Sequence, residues 1–242
     1  MSPVVLGGRL ICVNDEQIAA VERLLPEHRA LTRAEPGCLS FEVAPTPEAG
    51  VWRVDERFAG VAAFEAHQRR AAGSAWGRGT AGIGRDYSVR APLTTADAGE
   101  VLTVQRAAYV SEAILHDDLA LPPLTQTLDE LIGELRDPAV IGLGIRENGR
   151  LVAAVRLRMR DAVAELGRLT VAPDRQGRGL GSTLLAAVDD VLPPGVERVE
   201  LFTGEHSLAN LRLYRRMGYA DVRRVNTGAY DLVFLARTRR SG

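Results

Sequence analysis

The stretch Leu166-Gly-Arg-Leu-Thr-Val-Ala-Pro173-Asp-Arg-Gln-Gly-Arg-Gly-Leu-Gly181-Ser-Thr-Leu-Leu185 decides how this chain is read. An apolar run patterned as a strand ends at Pro173, a short loop of Gly and Arg follows, and an apolar-periodic run patterned as a helix begins. Such a junction aims several backbone N–H groups at one point, where the helix dipole adds partial positive charge. Gly179 and Gly181 permit close backbone approach and positive φ. The expected ligand is therefore phosphorylated.

Three phosphate-binding patterns compete. A P-loop needs Lys followed by Ser or Thr, but all 30 basic residues of this chain are arginine, so a P-loop and a Schiff-base lysine are both excluded. The dinucleotide fingerprint G-x-G-x-x-G directly after a strand fails, because Gly177-Arg-Gly179-Leu-Gly181-Ser182 breaks the spacing and Pro173-Asp-Arg-Gln intervenes. Glu200 at ribose-contact distance keeps that reading in view. The third pattern, Q/R-x-x-G-x-G/A, is met by Gln176-Gly-Arg-Gly179-Leu-Gly181 after Leu-x-Val-x-Pro. It resembles the pyrophosphate loop of the GNAT acyltransferase superfamily, which holds the diphosphate of acyl-CoA. Alone, the segment is also compatible with a plain strand-to-helix turn.

A second element supports the resemblance. In Ser207-Leu-Ala-Asn210-Leu-Arg-Leu-Tyr214-Arg-Arg-Met-Gly218-Tyr219, Ser207 reads as an N-cap, Gly218 as the stop, and Arg215 and Arg216 suit the last turn. Asn210 and Tyr214, four apart, share a face. This is similar to the late GNAT segment N-x-x-x-Y-x-x-x-G-[FY], in which the Asn helps hold the CoA arm and the Tyr hydroxyl lies near the thioester sulfur. Without that context Tyr214 reads as a buried aromatic.

The length of 242 residues allows two domains, and 46% hydrophobic with 25% charged residues describes a globular protein. Net charge is −1, with 10 arginines against 11 acids up to Asp86 and 20 against 20 beyond it. Neither half has a basic excess, so neither nucleic acid nor an anionic membrane is an expected partner. Two cysteines, Cys12 and Cys38, make no disulfide framework. The four histidines lack metal-ligand spacing and no metal is expected. No signal peptide or membrane span is recognised, and cytoplasmic residence is the default.

Residues 4–13 read as a strand, 15–33 as an amphipathic helix, 39–43 and 51–58 as strands, 61–80 as a helix and 87–93 as a strand. This β-α-β-β-α-β order is ferredoxin-like. The residues Glu35-Pro-Gly-Cys-Leu-Ser-Phe41-Glu, Trp52-x-x-Asp-Glu56-x-Phe58 and Ala63-Phe-Glu-Ala-His67 resemble the antibiotic biosynthesis monooxygenase (ABM) domains over about residues 3–90. The resemblance implies a dimeric α+β-barrel type of fold, a homodimer, and a small pocket that His67 or Trp52 lines; a core histidine and a core or interface tryptophan are the alternatives.

The later half reads as a helix over 96–109, a Pro-rich loop over 116–127, and a helix over 128–136. A hairpin follows around Asn148-Gly149, then a strand over 162–171 and a helix over 179–192. A strand over 199–203, the Asn210/Tyr214 helix, and strands over 219–225 and 230–236 complete it. This is the GNAT order, a mixed central sheet flanked by helices, so the expected architecture is α+β with domains at 1–88 and 89–242. The strand over 87–93 is claimed by both, implying a tight fusion without a linker.

The resemblance implies an N-acyltransferase using acetyl-CoA as co-substrate and an amine acceptor, either a small molecule or a peptide. The backbone of Leu169, Thr170 and Val171 would hold the pantetheine arm as an added strand and donate an N–H to the thioester oxygen. Arg175, Gln176, Gly177, Arg178, Gly179, Leu180, Gly181 and Ser182 would hold the diphosphate, with Asn210 on the arm. Tyr214 would act as general acid and Glu165 as general base, with Glu205 and His206 as rivals and an edge ion pair as the plain reading of Glu165. Asp117 and Asp118 lie where an acceptor would enter. A bifunctional protein with an oxygenase first domain and a non-catalytic acyl-CoA sensor remain alternatives.

Overall fold

Asn14 begins the first helix: its side chain accepts from Gln17 N, and Asp15 and Glu16 place negative charge in the first turn. The helix, α1 (Asp15–Arg33), follows strand β1 (Val4–Ile11), and β2 (Cys38–Pro45) and β3 (Val51–Phe58) form the next hairpin. The expected helix over 61–80 is two helices, α2 (Val61–Gly73) and α3 (Ala75–Gly79). Ser74 breaks it, because its extended backbone ends one helix while its hydroxyl caps the next by accepting from Gly77 N. β4 (Gly84–Pro92) closes the sheet, whose antiparallel order is β2-β3-β1-β4. Leu10, Val21, Phe41, Trp52 and Val54 form the core under α1.

The computed structural model describes residues 2–239 and falls into two compact units, which part at Pro92, residues 146–150 grouping with the first. The second unit begins with a capping box between Thr94 and Asp97, leading into α4 (Ala98–His116). A single helical turn, α5 (Pro122–Thr125), precedes α6 (Leu128–Arg136), which a second capping box starts at Thr127 and Glu130. Then come β5 (Val140–Glu147), β6 (Arg150–Arg160), β7 (Val163–Val171), α7 (Leu180–Ala186), β8 (Arg198–Gly204), α8 (Leu208–Arg216), β9 (Ala220–Asn226) and β10 (Asp231–Thr238). The order in this unit is β5-β6-β7-β8-β10-β9, with β7 and β8 parallel and β6–β7, β8–β10 and β10–β9 antiparallel. Val155, Leu157, Leu184, Leu185, Val199 and Leu235 lie in its core. Each such side chain contributes roughly 1.5–3 kcal/mol by leaving water.

In the second unit two helices, α4 and α7, end elsewhere than expected. α4 runs to His116 rather than ending near Tyr109: in its last two turns Ala113 is the buried apolar residue and the half-buried positions are Tyr109, Glu112 and His116, so the apolar period fades there. α7 ends at Ala186 rather than continuing to 192. Beyond it the chain tightens into three-residue turns such as Val188 N to Leu185 O and Asp190 N to Ala187 O, while Val188 and Leu192 still reach the core. No helix among the described residues is long and apolar enough to cross a membrane.

Candidate active site

β7 is the floor of the site and is irregular where the sequence places its function. Its ladder to β6 shifts between Ala154 and Arg156: Ala154 faces Thr170 and Arg156 faces Gly167, so Arg168 and Leu169 share one opposing residue. Arg168 takes a left-handed φ of 55° to make this bulge. On the other side, parallel pairing to β8 covers Val163–Glu165 against Arg198–Glu200. β7 continues to Val171 beyond the Glu165–Glu200 pair of that ladder, so the edge carried by Leu169, Thr170 and Val171 is where an extended ligand can add. Thr170 itself is buried and its hydroxyl donates to Ala154 O at 3.3 Å.

The glycine loop lies directly after this edge. Gln176, Gly177, Arg178 and Gly179 are exposed, and Gly177 and Gly179 hold left-handed φ values of 76° and 83°. A Cβ at either would meet nothing within 4 Å, so the loop opens to solvent. The side chain of Gln176 donates to Val171 O at 3.4 Å, and Arg175 bonds Asp174 at 2.9 Å. Leu180, Gly181 and Ser182, half-buried, start α7. A Cβ at Gly181 would lie 3.4 Å from Leu213 and 3.9 Å from Leu169 and Val171, which brings the loop, β7 and α8 together.

α8 ends as expected, with Gly218 at φ 90°. Its start does not. Ser207 holds the N-cap position but makes no cap bond, because its hydroxyl donates to Glu112 Oε2 instead. Asn210 Nδ2 donates to Glu112 Oε1 at 3.0 Å. Tyr214 is buried, its ring edge-on to Tyr219 at 6.0 Å. Burial pushes its phenol far above the usual value, with Tyr109, Tyr219 and Glu112 acting in the same direction.

Glu165 stands three residues before the bulge, half-exposed, and pairs with Arg160 at 2.8 Å. Its rival Glu205 accepts from Asp231 N at 2.9 Å, which ties the end of β8 to the start of β10, and Asp118 accepts from Ala120 N at 2.8 Å within a local turn. His206 lies 5.6 Å from the His116 ring.

Sequence reasoning missed the contribution of α4. Gln105, Tyr109, Glu112 and His116 recur at helical spacing on one face. Gln105 bonds the buried Arg156 at 2.7 Å, and Arg156 reaches Glu134 at 3.1 Å. The Tyr109 phenol lies close enough to the bulge residue Arg168 for the guanidinium charge to act on it. The available signal was this polar spacing inside a run otherwise patterned for a helix.

The first unit has its own cavity, of about 290 Å³, lined by Phe41, Glu56, His67, Trp76, Arg85 and Tyr87 among others. His67 Nδ1 is 2.8 Å from Glu35, and its Nε2 is 3.7 Å from Glu56 Oε2, which is buried without a hydrogen bond. Trp52 is a core residue. Burial drives Glu56 up to about 7, helped by Glu35 and opposed by Arg70. It drives His28, stacked on Trp76 at 4.6 Å, down to about 3, with Arg70, His67 and Arg85 adding to the shift.

The raised Glu56 value has a measurable consequence. An unfolded glutamate titrates near ~4.3, so Glu56 favours folding by holding a proton. That contribution is complete below the unfolded value and is lost as pH rises through about 7. Glu56→Gln removes the titration. The stability of this variant relative to the native chain is expected to improve by about 2–3 kcal/mol between pH 5 and pH 8, read as denaturation midpoints at the two pH values.

Residues 110–219 match the acetyltransferase (GNAT) family model, and residues 5–78 match the antibiotic biosynthesis monooxygenase model. A mycothiol acetyltransferase of Clavibacter michiganensis subsp. michiganensis (strain NCPPB 382) is 40% identical over 96 residues, which is 39% of this chain and 31% of the relative. The chain thus spans about a third of that relative's length. Among solved structures, the ribosomal-protein-S18-alanine N-acetyltransferase of Escherichia coli aligns with a TM-score of 0.53 at 20% identity, covering 64% of this chain and 96% of that one. The spermidine N-acetyltransferase of Vibrio cholerae, in complex with CoA and spermine, aligns at 0.50 and 16% identity, covering 63% and 95%. Both likenesses show the fold. The later part of this chain, which carries the bulged β7, the open glycine loop and the Tyr214 helix, is thus similar to the acetyltransferase (GNAT) family over residues 110–219, and its first part to the antibiotic biosynthesis monooxygenase family over residues 5–78.

Proposed function

We propose that this protein transfers an acyl group, acetyl by default, from acyl-CoA to the amine of a small molecule or peptide. The observation that carries the reading is the edge of β7 past Glu165, bulged at Arg168, running into a solvent-open glycine loop with two left-handed glycines. These features fit the two ends of acyl-CoA. The exposed backbone of residues 176–181, with Arg175, Arg178 and Ser182, suits a diphosphate. The edge at Leu169–Val171 suits the amide-bearing pantetheine arm, with Asn210 on the arm's other side.

Glu165 takes the proton that the amine must lose, after exchanging its ion pair with Arg160. The amine nitrogen bonds the thioester carbon, a backbone N–H at the bulge stabilises the oxyanion, and the carbon–sulfur bond breaks. Tyr214 returns a proton to the departing thiolate. Its buried phenol stays protonated through the neutral range, as a donor must.

Calorimetry with CoA, followed by free-thiol detection with acetyl-CoA and either spermidine or a peptide beginning with alanine, tests the reading. Saturable CoA binding and amine-dependent thiol release are expected. A chain that does not bind CoA refutes the proposal, and one that binds it yet releases no thiol with any amine is a sensor.

A second activity in the first unit is favoured by the cavity, where the Glu35–His67 pair faces the buried Glu56 carboxyl. A cofactor-independent oxygenase of that kind consumes dioxygen with a phenolic probe and loses this on His67→Ala. No uptake across a phenolic panel leaves the unit an accessory domain.

A further inference from the structure

The last two turns of α4 present three polar or aromatic side chains on one helical face. Tyr109 faces the bulge residue Arg168 of β7. One turn on, Glu112 receives the Ser207 hydroxyl on one carboxylate oxygen and the Asn210 amide, at 3.0 Å, on the other. One further turn on, His116 Nε2 meets Ser207 Oγ at 3.2 Å. The Ser207 proton is committed to Glu112, so His116 donates to Ser207 through Nε2. The Cε1–Nε2 edge of the His116 ring abuts the end of β8: a Cβ added to Gly204 would sit 2.2 Å from it. Ser207 is buried, and so is the side chain of His116.

This arrangement takes the capping hydroxyl away from α8. A nine-residue helix whose N-cap side chain is diverted depends on something else to order its first turn. The Glu112 carboxylate supplies that order from a neighbouring helix. Tyr214 lies one turn beyond Asn210 on the same face. α4 therefore sets the spacing between the β7 bulge and the Tyr214 hydroxyl, the two places where the proposed reaction stabilises an oxyanion and delivers a proton.

We propose that Glu112 is a positioning residue for Tyr214: by gripping Ser207 and Asn210 it fixes α8 against α4, and through Tyr109 against the β7 bulge. The inference rests on the acetyltransferase reading. It adds a residue outside the glycine loop and outside the acid–base pair, acting through hydrogen-bond acceptance and not through its own proton transfer.

The test is a double-mutant cycle on the full chain, with acetyl-CoA and whichever of spermidine or an alanine-terminated peptide turns over faster. Glu112→Ala is expected to lower kcat about 10–100-fold, as misplacement of a catalytic group does, with a smaller loss of CoA affinity from the released Asn210. In a Tyr214→Phe background the same change is expected to cost less than about 3-fold, since there is no longer a hydroxyl to misplace. Glu112→Gln, whose carbonyl still accepts from Ser207 while Asn210 turns its amide over, is expected to keep at least a third of the native kcat. Equal losses from Glu112→Ala in both backgrounds overturn the proposal. So does a Glu112→Gln variant as slow as Glu112→Ala, because the charge would then be acting directly. A native chain that binds CoA but acetylates no amine removes the acetyltransferase reading and this inference with it, an outcome distinct from either of the others.

Discussion

Tyr214→Phe is expected to leave CoA binding unchanged and to lower kcat for acetyl transfer by about 10²–10⁴-fold, the usual contribution of a positioned general acid. The substitution deletes one oxygen from a ring that is already buried among apolar neighbours and set edge-on to Tyr219. The fold therefore loses little, and a thermal midpoint within a few degrees of the native one separates the chemical effect from unfolding. Because burial drives the phenol's titration upward, the native rate has no alkaline limb from Tyr214 below its ordinary value near ~10. A variant that keeps the native kcat assigns the proton to another donor or to water.

Gly179→Val is expected to abolish CoA binding, weakening it about 100-fold or more, while the chain stays folded. The residue sits at φ 83°, and an added Cβ would meet nothing within 4 Å. The obstacle is therefore conformational and not steric crowding. A β-branched residue is strongly disfavoured in the left-handed region, so the loop must leave the shape that aims its N–H groups at one point. Loss of two charge-assisted hydrogen bonds at ~1.5–3 kcal/mol each accounts for the expected weakening. Since the loop is exposed and α7 is anchored by the buried Leu184 and Leu185, circular dichroism should be unchanged. Calorimetry reading native affinity for the variant would detach the loop from phosphate recognition.

Much of the architecture was legible in the chain. Where burial and period agree, the pattern is unambiguous. The first three strands, α1, α6 and the strands of the later half fell where alternation and capping residues put them. The turn at Asn148-Gly149 formed with φ values of 49° and 82°, as its residue types demand. Failures clustered where a polar side chain took a partner distant in sequence. Ser207 reads as a cap in any local window, yet its hydroxyl goes to a glutamate 95 residues earlier. The end of α4 was cut short because Tyr109, Glu112 and His116 are half-buried while Val110 and Ile114 face water, which inverts the usual helical code.

The sequence by itself determined the glycine loop, the helix bearing Asn210 and Tyr214, and the two-part order of elements. Those follow from backbone preferences and periodicities acting over a few residues. Only the tertiary structure decided that α4 holds the bulge of β7 and the start of α8 together, that Glu112 stands beside the Tyr214 helix, and that Glu56 is buried beside His67 in the first unit. Such contacts join residues tens of positions apart, and their energies arise from desolvation and hydrogen-bond geometry that no local pattern encodes.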